Sequence, residues 1–163
     1  MMQRRACLGA VSAIGLLSAA VLSGCASTAP VGQRLWSGRL AVTVHSTPQN
    51  HFSASFELQG TSEAGRLTLL SPLGTTLAHV QWNPQGAQWQ RGSEWESRPS
   101  LGELMRDLLG TELPVTHLFA WLDGQPTAPE GWSVDLSRHR DGRIQAHREY
   151  PLPRADLRVV FEP

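Results

Sequence analysis

Residues 38–58 read GRLAVTVHSTPQNHFSASFEL, and this stretch decides the fold class. Leu40, Val42 and Val44 fall on one side of an extended chain, and Arg39, Ala41 and Thr43 on the other. A polar turn over 46–50 holds Pro48, after which Phe52, Ala54, Phe56 and Leu58 alternate with Ser53, Ser55, Glu57 and Gln59. Alternation with period 2 marks half-buried strands, and two such runs across a short turn form an antiparallel pair. Working outward, 65–70 is a third strand, Ser71-Pro72-Leu73-Gly74 a turn, and 75–82 a fourth strand with Ala78, Val80 and Trp82 on one face. Asn83-Pro84-Gln85-Gly86 turns again into short strands over 87–91 and 95–98.

The period then changes. Ser100 stands three residues before Glu103, the spacing of a helix capping box. Leu101, Leu104, Met105, Leu108 and Leu109 recur at helical spacing, and Gly110 fits a C-terminal cap. A second short helix fits 114–122, and strands return at 132–136, 144–147 and 157–161. The helices are too few and too short to be crossovers of a parallel sheet. The expectation is a mostly β protein: a curved antiparallel sheet with a lid of short α-helices, enclosing an apolar cavity. The same residues also suit a closed, dry core.

The N-terminus carries a separate message. Arg4 and Arg5 precede an almost uncharged run, 6–24, of Ala, Leu, Val, Ile, Gly and Ser. A positive segment followed by an apolar one is a secretory signal peptide. It ends in Leu22-Ser23-Gly24-Cys25, which resembles the lipobox of bacterial lipoproteins. That likeness implies cleavage before Cys25 and lipidation of its thiol. An uncleaved membrane span is the competing reading, since about 20 apolar residues suffice to cross. More than one acyl chain gives a stable anchor without a helix. Asp after the Cys commonly retains enterobacterial lipoproteins in the inner membrane; Ala26 stands there instead, which makes the outer membrane the expected destination. The organisation expected is a signal peptide over 1–24, a lipidated tether over 25–35 and one domain over 36–163.

Of 14 basic residues, Arg4 and Arg5 leave with the signal; the remaining 12 are all Arg and face 14 acidic residues. This near-neutral balance does not point to nucleic acid. Cys7 lies in the signal and Cys25 is the lipid site, so no pair is left for a disulfide. Six Trp and four Phe supply core area instead.

Sites of chemistry are not evident. His45 and His51 straddle a turn, His139 and His147 flank Asp141, and His79 and His117 are isolated; none matches a zinc-ligand spacing. Solvated His is the simpler reading. Glu94 and Glu96 share a strand face, which suits a polar surface better than a glycosidase pair. Arg138, Arg140 and Arg143 surround Asp141-Gly142, either as a solvated turn or as a contact for lipid phosphate. Neither a nucleophile elbow nor a phosphate loop occurs, so no enzyme activity, metal or cofactor is expected. Leu73 is different: turn tips are normally polar. An apolar residue there either folds into the core or projects to meet an apolar surface.

Several pieces, in order, resemble the LolB family of outer-membrane lipoprotein receptors. They are Trp36-Ser37-Gly38-Arg39-Leu40-Ala41-Val42, the aromatic run 52–58, and 67–77 with Ser-Pro-Leu-Gly at its centre. Leu108-Leu109-Gly110, Leu113-Pro114-Val115, Trp121-Leu122 with Gly124 and Pro126, and Gly131-Trp132-Ser133-Val134 follow. Two departures stand out: only about ten residues separate Cys25 from Trp36, where the family usually has a helix, and the chain ends soon after Phe161, before the family's usual closing Trp.

The resemblance implies a half-open antiparallel barrel with a helical lid. It implies a monomer that accepts lipoproteins from the periplasmic carrier LolA, holds their acyl chains and releases them into outer-membrane lipid. Membrane contact would be made by Pro72, Leu73 and Gly74. The expected cavity lining is Leu40, Val42, Phe52, Phe56, Leu67, Leu69, Val80, Trp82 and Trp89 from the sheet. Leu104, Leu108, Leu118 and Trp121 would come from the lid. A structural outer-membrane lipoprotein, binding a protein partner by its edge strands and carrying no lipid cargo, is the alternative.

Overall fold

β1 (Leu35–Val44) and β2 (Asn50–Gly60) form the antiparallel pair expected from the opening stretch, with Val42 opposite Phe52 and Leu40 opposite Ala54. Trp36, Leu40, Val42 and Val44 are buried on one face of β1, and Ala54, Phe56 and Leu58 join them from β2. A slip of one residue would turn this whole set to water. Gly38 sits in the same inward row, where an added Cβ would lie 2.0 Å from the Val160 carbonyl oxygen. The close approach of a third strand, not turn geometry, requires glycine there.

The computed structural model describes residues 34–163; the signal segment 1–24, Cys25 and the tether up to residue 33 lie outside it. The first strands continue as a meander through β3 (Gly65–Leu70), β4 (Thr76–Asn83), β5 (Gly86–Arg91) and β6 (Glu94–Arg98). Helices α1 (Leu101–Leu109) and α2 (Val115–Leu122) come next, then β7 (Trp132–Asp135), a single 3₁₀ turn (His139–Asp141), β8 (Arg143–Arg148) and β9 (Ala155–Phe161). All nine strands form one sheet in the order β6-β5-β4-β3-β2-β1-β9-β8-β7. Every pairing is antiparallel. Among the described residues β6 and β7 are the unpaired edges, so the sheet is open there, as the half-open architecture requires.

Ser100 and Gly110 cap α1 as read. Ser100 Oγ accepts from the Glu103 backbone N–H at 3.2 Å, and Gly110, at φ +72°, ends the helix with its N–H on the Arg106 carbonyl. Arg98 at the end of β6 donates to Asp107 of α1 at 2.6 Å. At the same C-terminal end of α1, Asn50 donates to the Leu109 carbonyl. α2 runs back across the same face, its last carbonyl (Leu122) accepting from His139 Nε2 at 2.9 Å. Trp82 of β4 meets Phe119 of α2 with ring centres 6.2 Å apart, and Trp132 of β7 meets Trp121 at 6.3 Å. Both helices therefore pack their apolar residues against the inner face of the sheet.

Strand direction sorts the turns into two rims. On the upper rim lie the turns at 45–49, 71–75, 92–93 and 149–154, together with the α1–α2 linker. On the lower rim lie those at 61–64 and 84–85 and the 3₁₀ turn.

Candidate functional site

Between sheet and helices lies an apolar gap lined by Leu40, Phe52, Leu67, Leu69 and Leu157 from the sheet, Met105, Leu109 and Leu118 from the helices, and Leu113, Pro114 and Val115 from the linker and the start of α2. Its volume is about 20 Å³, room for about one water-sized sphere. Small-molecule sites measure ~300–1,000 Å³. The hollow expected from sequence is present in place and polarity but nearly filled by its own walls.

Of the thirteen lining residues expected, Leu40, Phe52, Leu67, Leu69 and Leu118 do face the gap. Val42, Phe56, Val80, Trp82, Leu104 and Trp121 are fully packed core instead, and Trp89 and Leu108 are half-buried against that core. The reason in α1 is helical phase. Its five apolar residues cover more than one face, and the pair that meets the gap is Met105 and Leu109, not Leu104 and Leu108.

The turn after β3 points outward. Leu73 is 94% exposed, with Pro72 and Gly74 exposed beside it. The turn is closed by the Gly74 N–H on the Ser71 carbonyl at 2.9 Å and the Ser71 N–H on the Thr75 carbonyl at 2.8 Å. Ser71 Oγ accepts from the Thr75 N–H. Gly74 takes φ +81° in open space, so backbone conformation alone calls for glycine. A rigid turn thus holds a Leu in solvent, at a cost of about 1.5–3 kcal/mol relative to burial. On the same rim the loop Tyr150-Pro151-Leu152-Pro153 presents Leu152 at 78% exposure. Four strand spacings separate the two turns, about 19 Å along the sheet at ~4.8 Å each.

Sequence reasoning missed two features. The first is Arg148, which is only 5% exposed and borders a groove of about 320 Å³ beside the α1–α2 linker. The alternation Ile144, Ala146, carried one step of two residues further, would have placed it inward. The second is an ion cluster on the outer face. Asp156 receives His45 Nε2 and His147 Nδ1, each at 2.7 Å, while His147 Nε2 is 2.9 Å from Glu149, which also meets Arg154. The bond to Asp156, with Glu149 second, raises the His147 pKa. The same imidazoles hold the Asp156 and Glu149 carboxyls below their ordinary values. His45 and His147 are thus paired with carboxylates, not simply solvated. Among the described residues no cluster of three His, Cys, Asp or Glu is arranged to hold a metal. Glu96 is paired with Arg98, and Arg138 with Asp141 at the lower rim, the opposite rim from Leu73.

The family model described as outer membrane lipoprotein LolB matches residues 34–155. The chain belongs to the LolB family. Similar relatives carry that family's name. One, from Cupriavidus metallidurans, is 32% identical over 78% of this chain and 67% of its own length. Another, from Cupriavidus necator, is 28% identical over 88% of this chain and 90% of its own. A third, from Bordetella pertussis, is 32% identical over 74% of each. All three are named as outer-membrane lipoproteins. The gap, the two helices and the outward Pro-Leu-Gly turn are thus found in a member of the LolB family.

Proposed function

We propose that the protein is a lipid-anchored receptor of the outer membrane, facing the periplasm, that accepts lipoproteins from the carrier LolA and inserts them into the outer-membrane leaflet. Cys25 carries the anchor, and residues 25–35 are its tether. The work is lipoprotein localisation by graded affinity, without catalysis. Acyl chains are held more tightly than in the carrier and less tightly than in a bilayer. The observation that carries this reading is the sharing of one rim. The wall of the apolar gap formed by Leu113, Pro114 and Val115 stands at the same rim as the exposed Leu73.

The gap as it stands is too small for a fatty chain, so uptake needs the lid to move. The linker, which no regular element stiffens, is the piece best placed to yield. Acyl chains then enter between Met105, Leu109 and Leu118 on the helices and Leu40, Leu67 and Leu69 on the sheet, which line the gap. Leu73, with Pro72 and Gly74 fixing its turn and Leu152 further along the same rim, enters the bilayer interface and regains its burial energy there. Cargo leaves by the same rim.

The test uses the chain with Cys25→Ala, mixed with carrier loaded with a lipoprotein. Pull-down on a tag of the receptor recovers the cargo if the reading holds. Failure to take any cargo favours a structural lipoprotein that binds a protein partner.

A further inference from the structure

The groove of about 320 Å³ at the upper rim is bounded by Glu112, Pro114 and Thr116 on the linker side and by Trp132, Arg148 and Pro151 on the sheet side. Leu113, Pro114 and Val115 wall both this groove and the apolar gap. The linker is thus a partition with hydrocarbon on one side and a roomier, mixed-polarity chamber on the other. An amphiphile whose tails pass behind the linker has its head placed in the groove.

Arg148 gives the groove its chemistry. One guanidinium nitrogen, Nη2, donates to the Pro153 carbonyl at 2.6 Å, and the group lies 5.7 Å over the Trp132 ring. Its Nε is buried with no hydrogen-bond partner among the described residues. The carboxylate on the groove wall, Glu112, is committed to Arg106 at 2.6 Å. Burial depresses the Arg148 pKa, the sign of a cation held without adequate compensation. Keeping a charge in such a place is unfavourable unless each of its donors finds a partner. An unused donor retained at that cost is a donor awaiting an acceptor.

We propose that this groove seats the polar head of the lipid cargo, with Arg148 donating to the ester carbonyls of a diacylated cysteine. The inference rests on the receptor reading above and adds the part of the cargo that the apolar gap does not explain. A neutral carbonyl suits the site better than a phosphate, because Glu112 and Glu130 stand on the groove walls. Nε becomes reachable when the linker swings aside, the same displacement that opens the gap. Groove and gap therefore fill together.

The experiment compares two lipopeptides bound by the chain carrying Cys25→Ala. One has a dipalmitoyl cysteine with ester-linked chains and the other its ether-linked analogue, which lacks both carbonyls. The ester form is expected to bind about tenfold more tightly, as for a hydrogen bond to a charged donor. Arg148→Met is expected to abolish that preference while leaving the ether form unchanged. In the unsubstituted Arg148 background, the ¹⁵N-labelled Nε–H resonance of Arg148 is expected to move with the ester lipopeptide and not with the ether one, a readout that does not depend on how the variant folds. Equal affinity for the two lipopeptides, or equal weakening of both by Arg148→Met, overturns the proposal and leaves Arg148 as a strut for the Pro153 loop. Tight binding of a phosphatidylglycerol, abolished by the same substitution, overturns the choice of a neutral head. Binding of neither lipopeptide would instead overturn the receptor reading itself.

Discussion

Asn50 Nδ2 donates to the Leu109 carbonyl at 3.1 Å, joining the first residue of β2 to the last residue of α1. Carbonyls at a helix C-terminus lack partners within the helix, so this bond satisfies a group that would otherwise need water. It also fastens the lid to the upper rim, directly beside the linker. Asn50→Ala is expected to lower stability by about 1 kcal/mol. It should also speed the uptake of a fluorescent fatty-acyl probe, because the lid loses a fastening at the rim where it opens. Stopped-flow uptake and thermal unfolding measure the two effects. A lower melting temperature with unchanged uptake would place the opening elsewhere.

Leu73 touches water almost all round. Its replacement therefore leaves the fold alone, and surface changes of this kind usually stay within about 0.5 kcal/mol. Leu73→Glu is expected to abolish release of cargo into liposomes while leaving transfer from the carrier intact. Leu152→Glu, on the same rim, is expected to weaken release by a smaller factor. Transfer to liposomes by a Leu73→Glu protein at the normal rate would show that the turn does not meet the membrane.

Strands β1 to β4 were legible because each buries one face, and alternation of Leu40, Val42 and Val44 against Arg39, Ala41 and Thr43 reports that directly. α1 was legible from its caps, since Ser100 and Gly110 act locally. What sequence did not reveal is non-local. Nothing near Gly38 announces that β9 lies beside it, with Phe161 as its partner. Strand pairing over such a separation leaves no periodic trace in either segment. The lining of the gap was half legible for a related reason. Periodicity says which residues of α1 turn inward, but not which of them meet a void and which meet Phe56 or Trp82. Arg148 escaped because a charged residue ends an apolar alternation by convention, whereas here the strand continues through it.

The outer-face cluster sets a pH dependence. The folded pKa of His147 is raised above its ordinary 6.5, so the stability it contributes is complete below that value and is lost as pH rises through the folded pKa. Asp156 and Glu149 are lowered, so their contribution is complete above their ordinary 3.8 and 4.5 and is lost as pH falls through the lowered values. Stability is therefore greatest between the carboxylate and imidazole ranges. All these groups are partly solvated, so the slopes are shallow and diminish with added salt. Thermal unfolding from pH 6 to pH 8 should show a falling melting temperature, and His147→Gln should flatten it. A slope that survives His147→Gln would assign it to other groups.

Leu118 and Leu122 both lie on the buried side of α2, yet only Leu118 faces the gap. That difference separates a cavity from a core. Truncating either to Ala removes similar buried area, and each is expected to cost about 2–5 kcal/mol. Domains of this size hold about 5–15 kcal/mol, so both variants remain testable, with a stabilising osmolyte where the margin is thin. Binding should part company where stability does not. Leu118→Ala enlarges the space an acyl chain occupies and removes a side chain it must displace, so affinity for a fatty-acyl probe should hold or rise. Leu122→Ala leaves its void away from the gap and should not improve binding. Denaturant unfolding gives the first comparison and probe titration the second. If both variants bind alike, the gap beneath the lid is packing, and the chains are held somewhere else.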